Sequence, residues 1–205
     1  YDNPKEDLKK AIGNIDADFS SLTGDHHLGK KLESQIDNIL TDWKKVRALA
    51  SETPSQDKML ALHNAIEALT DRCLKAVESI EKATKIPGEH YVVLSAELGM
   101  EVQRLAALYL MRTWKVENDN YFAEVKHMLD EFEDYHHQLK KADSQYVTNE
   151  AKKELDSVEK DFLVFERMAE SKSGRFVPSL AQRSANKLFT KTNQLTAMIS
   201  EKVEI

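Results

Sequence analysis

The sequence predicts an all-α protein, and three observations predict it. Apolar residues recur at steps of three and four almost throughout the chain. No stretch shows the period-2 alternation of a half-buried strand. Only 4 Pro and 6 Gly occur among 205 residues, of which 31% are charged, a profile of long, water-soluble helices. The length suffices for one or two domains with a core of their own. The expected organisation is an N-terminal helical unit over residues 1–86, followed by a domain over 87–205. The second domain is expected to be an antiparallel up-down four-helix bundle over about residues 88–205. Two or three helices before Pro87 cannot close a four-helix layer alone. They either stack with the second unit as two bundles sharing long helices or pair with another chain.

The elements follow in order. Leu8, Ile12, Ile15, Phe19 and Leu22 mark one apolar seam. Leu32, Ile36, Ile39, Trp43 and Val46 mark the next, with Asp25-His26-His27 between Gly24 and Gly29 as a turn or a kink. Thr53-Pro54-Ser55-Gln56 reads as a capping box, with Thr53 as N-cap and Pro54 at the first helical position. It opens a third seam of Met59, Leu62, Ile66, Leu69, Cys73, Val77 and Ile80. Pro87-Gly88 ends that helix and starts the next. After Glu117-Asn118-Asp119-Asn120, rich in Asx caps, come Phe122, Val125, Leu129, Phe132, His136 and Leu139. A turn at Ala142-Asp143-Ser144 leads to Leu155, Val158, Phe162, Phe165 and Met168. The loop SKSGRFVP at 171–178 precedes Leu180, Leu188, Leu195 and Ile199. The last helical pattern is expected to run to the final residue.

The stretch VVLSAELGMEVQRLAALYLMRTW at 92–114 is apolar yet holds Glu97, Glu101, Arg104 and Arg112. Each mid-membrane charge would cost about 2.5–3.5 kcal/mol, and no uncharged run reaches the roughly 20 residues of a span. It is a helix buried on most sides of a bundle. Its polar groups need partners there, or they form a site.

Composition excludes several function classes. The net charge is −6 with both signs interspersed. No basic stripe appears, so nucleic acid is not an expected partner. The single Cys73 excludes an intrachain disulfide and, on an apolar seam, reads as a buried inert thiol. No signal peptide or membrane span is present, and a chain opening at Tyr1 reads as a processed product or a cut fragment. There is no phosphate loop, Cys-x-x-Cys, His-Glu-x-x-His or nucleophile-base constellation. The expectation is no enzyme, no cofactor and no metal. Glu124-x-x-His127 and Glu133-x-x-His136 fit the di-iron pattern one by one. Nine residues apart on one helix, they fall on opposite faces.

Two segments carry a family resemblance. LSAELGMEVQRLAALYL at 94–110 resembles the signature helix of the N-terminal domain of type IV pilus methyl-accepting chemotaxis transducers (PilJ-type), shared with nitrate/nitrite-sensor kinases. FVPSLAQRSANKLFTKTNQLTAMI at 176–199 is similar to the last helix of that domain. The resemblance covers roughly residues 88–200. It implies a periplasmic, ligand-sensing four-helix bundle of an inner-membrane receptor, dimeric, meeting the membrane only through flanking spans. The chain departs from the family at Glu97, Leu98 and Gly99, where two arginines and a glutamine stand, and agrees at Gln103 and Arg104.

The candidate ligand-binding residues are therefore Glu97, Glu101, Gln103 and Arg104. Glu97, Glu101 and Arg104 lie at i, i+4 and i+7 on one helix face. Either they form a polar stripe facing solvent or a dimer partner, or they line a pocket. An acidic pair beside one arginine suits a cation, an amine or a zwitterion and repels nitrate. The leading expectation is a receptor's sensor domain that transmits a helix shift to a cytoplasmic output domain. The rival is a free-standing helical scaffold that binds a protein partner and has no small-molecule site.

Overall fold

The structure, a computed structural model, describes residues 3–22, 29–116, 118–171 and 177–203. The predicted Asp25-His26-His27 turn, Glu117 and residues 172–176 of the SKSGRFVP loop lie outside these. The described residues form seven α-helices and no strand: α1 Pro4–Leu22, α2 Lys30–Ala50, α3 Gln56–Thr84, α4 Glu89–Thr113, α5 Tyr121–Lys141, α6 Asn149–Glu170 and α7 Pro178–Ser200. The all-α class holds. None of these helices is long and apolar enough to cross a membrane. The chain divides into two compact units between Ala83 and Thr84.

The N-terminal unit has a thin core. Trp43 and Val46 of α2 and Ala65 of α3 are its buried centre, with Ile12, Ile15 and Phe19 of α1 packed on them. No residue of α1 is buried. Asp16 ties α1 to α2, accepting from Trp43 Nε1 at 2.8 Å and pairing with Arg47 at 3.3 Å. The predicted capping box is displaced. α3 starts at Gln56, Ser55 Oγ accepts from Lys58 N at 3.4 Å, and Pro54 precedes the helix. Proline pushes the residue before it toward extended backbone, and serine is as good an N-cap as threonine. Cys73 is half-buried, and burial raises its thiol pKa, so it is not an activated nucleophile.

The C-terminal unit holds the main core, drawn from α4, α5, α6 and α7. α4 buries eleven residues in near-adjacent pairs, from Leu94-Ser95 to Leu108-Tyr109. Such pairs cover more than one face of a helix, which is why the stretch reads as nearly membrane-like in sequence. Partner residues run in opposite order along neighbouring helices. Arg104 meets Glu131 and His90 meets Gln138 between α4 and α5. Phe132 stacks on Phe162, with centroids 3.5 Å apart, between α5 and α6. Lys191 donates to Ser157 and Asp161 between α7 and α6. Val177 N donates to Tyr109 Oη, and Gly99 faces Thr192, between α7 and α4.

The turns show how local chemistry sets the helix ends. Gly88 opens α4 at φ 87°, where a Cβ would strike the Tyr146 ring at 2.4 Å. Asn118 Oδ1 accepts from Asn120 N at 2.9 Å in an Asx turn. Thr148 caps α6 by accepting from Ala151 N at 3.2 Å. Thr148→Ala should cost about 1 kcal/mol in urea unfolding; an unchanged midpoint would show that the cap is idle. α7 does not run on to the end of the described chain. It stops at Ser200, and Val203 turns back into a buried position.

The seam of α5 is also corrected. The buried row is Tyr121, Val125, Met128, Phe132 and Leu139, while Phe122 is 45% exposed and Leu129 and His136 are only partly buried. Tyr121 sets the rotation of the helix, since its buried hydroxyl donates to Ala169 O at 2.9 Å at the end of α6. Tyr121→Phe removes that bond and should lower stability by about 1 kcal/mol, read from the urea midpoint at constant m. In α7, Leu180 is likewise exposed, and the small residues Ala181, Ala185 and Thr192 complete the buried row.

Candidate functional site

α4 carries the four residues singled out in the sequence and distributes them over two faces. Toward α5, Arg104 Nη1 donates to Glu101 Oε1 at 2.8 Å and lies 3.6 Å from Glu131 Oε2. The Glu101 side chain is 1% exposed and that of Arg104 11%, which removes the reading of a solvent-facing stripe. Glu97, half-buried one turn away, acts on the same region. Gln103 turns the other way, and its Nε2 reaches Ala185 O of α7 at 3.5 Å. The structure therefore brings together Glu97, Glu101 and Arg104, and leaves Gln103 apart from them.

Two residues of α5 that sequence reasoning missed complete the cluster. Glu131 is the second carboxylate on Arg104. The Tyr135 phenol is pushed far above its ordinary range by burial first, then by Glu97, Glu131 and Glu101, with Arg104 opposing. It is a neutral O–H at physiological pH. The only hint in the sequence was their i, i+4 spacing beside an apolar seam. Which residues of α5 oppose Glu101 depends on the register between two helices, which no local pattern encodes.

The electrostatics select a ligand charge. Glu101 and Glu131 meet the Arg104 guanidinium and Glu97 adds a third carboxylate to the same region, so the cluster holds excess negative charge. An ammonium would offset it, while an anion such as nitrate would meet repulsion. Arg112, the fourth charge of the stretch, serves structure. It donates to Ala169 O at 3.4 Å and Ser171 O at 3.0 Å at the C-terminus of α6, with its guanidinium over the Tyr121 and Phe122 rings.

The two Glu-x-x-His motifs do lie on different faces. His127 is 62% exposed and 3.6 Å from Glu131. His136 is 13% exposed, stacked on Phe132, with Nε2 3.7 Å from Glu159 Oε2. Ligand-type atoms of His136, Asp156 and Glu159 come within 4.8 Å of one another. Asp156 and Glu159 are exposed, and Lys140 already pairs with Asp156. Burial lowers the His136 pKa below its usual value, with Lys140 and His137 acting in the same direction and Glu159 and Asp156 opposing. The unfolded chain thus takes this proton more readily than the folded one. Stability is complete above about pH 6.5 and falls as pH drops toward the lowered value. His136→Gln should flatten that leg of a urea-midpoint series between about pH 7.5 and 5.

Comparison of the chain with protein-family models, curated proteins and solved structures finds no match.

Proposed function

We propose that this chain is the extracytoplasmic sensor module of a bacterial transmembrane signalling receptor. In this reading its C-terminal unit is an antiparallel up-down four-helix bundle, and it works as a homodimer. The observation that carries the reading is the cluster of Glu97, Glu101, Arg104, Glu131 and Tyr135 between α4 and α5. A buried ion pair adds little net stability, and well-packed apolar residues in its place are often as stable or more so. Charges kept in such a place fix a helix register or respond to a ligand. The opposite order of contacts along neighbouring helices supports the bundle, and the segments at 94–110 and 176–199 support the receptor class.

The mechanism is a population shift. An amine or a zwitterion competes with Arg104 for Glu101 and Glu131 and favours a second register of α4 on α5. α7 moves with α4, because Gly99 and Thr192 pack too closely to slide independently. The signal is a displacement of an ångström or two, passed to a cytoplasmic output domain.

A thermal-shift panel of amino acids, amines, organic acids and small anions tests the reading. A ligand bound at 100 times its dissociation constant adds about 2.7 kcal/mol to the stability of the unit that binds it. A shift lost in Glu97→Gln but kept in wild type places the ligand between α4 and α5. Silence across the panel, or a gene that lacks both a membrane span and a signalling domain, overturns the reading in favour of a protein-binding scaffold.

A further inference from the structure

The edge of α5 beside the core forms the floor of a groove. Phe122, Leu129 and His136 recur every seven residues, two turns apart, so they form a row along one side of the helix. Together with Phe132, Phe162 and Leu163 they line a cavity of about 530 Å³ between α5 and α6. Phe122 and Leu163 stay 45% and 46% exposed. The rim is acidic: Asp130 and Glu133 stand on α5, and Glu159, Glu166 and Glu170 on α6. Lys126 is the one lysine or arginine of the lining, and it already pairs with Asp130. The remaining carboxylates crowd one another. Burial first, then Glu170 and Glu133, raise the pKa of the Glu166 carboxyl against the pull of Arg167.

Shape and charge together identify the occupant. From Phe122 to His136 the groove runs about 21 Å, at 1.5 Å per residue. The groove is therefore elongated along the two helices. The carboxylates are strung out as well: Glu159 and Glu170 stand about 16 Å apart along α6. A point cation meets one end of the row only. The fitting molecule is long and thin, with ammonium groups separated by short methylene runs.

We propose that the groove between α5 and α6 binds a linear aliphatic polyamine, with its methylenes on the Phe122, Leu129 and Leu163 floor and its ammonium groups on Glu133, Glu159, Glu166 and Glu170. This site is separate from the α4–α5 cluster and does not depend on the sensor reading, since the groove can hold a polyamine in a chain that signals nothing.

Titration calorimetry of the full chain with putrescine, spermidine and spermine tests the inference. Hexaamminecobalt(III), which carries spermidine's charge in compact form, is the control. The expected result is one saturable site whose affinity climbs steeply with chain length, with spermidine well above the cobalt complex. Glu133→Gln and Glu166→Gln should each weaken spermine binding about tenfold. These changes relieve like-charge repulsion, so the melting temperature should hold or rise and folding is not at risk. Glu97→Gln should leave spermine binding unchanged, which separates this site from the cluster on α4. Equal binding of spermidine and the cobalt complex, or unchanged spermine affinity in the Glu133→Gln/Glu166→Gln double variant, overturns the inference. So does a basic amphipathic peptide that binds through these glutamates where spermine does not.

Discussion

Arg104→Ala is expected to lower the unfolding free energy of the C-terminal unit by about 3–5 kcal/mol. The size follows from what stays behind. Glu101, 1% exposed, keeps its carboxylate inside the α4–α5 interface after losing the guanidinium 2.8 Å away. Glu131 loses the same partner and can turn toward water, being 31% exposed. The loss is mainly the penalty of a buried charge without compensation, and only in small part the worth of the pair. A double variant separates these. Glu101→Leu/Arg104→Met removes both charges at similar volume and should recover most of the lost stability or exceed the wild type. Urea unfolding of the two singles and the double, at constant m, decides it. If the double is no better than Arg104→Ala, the pair stabilises in its own right, and the case for a charge cluster kept for register or response is lost.

Gly99→Ala should destabilise by about 1–3 kcal/mol through overpacking, although the same change inside a helix ordinarily stabilises by about 0.5–1 kcal/mol. The sign turns on one contact. A Cβ on Gly99 would lie 2.6 Å from Thr192 Oγ1 and 3.1 Å from Thr192 Cβ, and Thr192 is itself 1% exposed. Gly13 of α1 is the internal control, because a Cβ there meets nothing within 4 Å. Gly13→Ala should therefore stabilise the N-terminal unit by the ordinary amount. Thr192→Ala in the Gly99→Ala background removes the nearest clash and should restore most of the loss. A Gly99→Ala protein as stable as wild type would mean that α4 and α7 separate easily, and the coupled movement of the two helices would fail with it.

The legible part of this fold was periodic. Apolar spacing, proline and glycine placement and Asx residues located the helices, because each depends on a few neighbouring residues. Rotation was less legible. In α5 the pattern Phe122, Val125, Leu129, Phe132, His136 and Leu139 suits a stripe at 3.5 residues per step as well as the true row through Tyr121 and Met128 does. What separates them is packing against distant residues, including the hydrogen bond from Tyr121 to Ala169, 48 residues away. The groove owes its apolar floor to that choice. In α7 the buried small residues Ala181, Ala185 and Thr192 carry little hydrophobic signal.

The sequence by itself determined that the chain is helical, that 92–114 is buried without being a membrane span, and that Glu97, Glu101 and Arg104 share a helix face. These follow from the 3.6-residue repeat and the cost of burying charge, both local properties. The tertiary structure alone decided that Glu131 and Tyr135 join that face, that Gln103 leaves it, and that five carboxylates of two helices line one groove. Each of these depends on how far one helix is rotated and slid against the next, and that is set by contacts between residues distant in the chain.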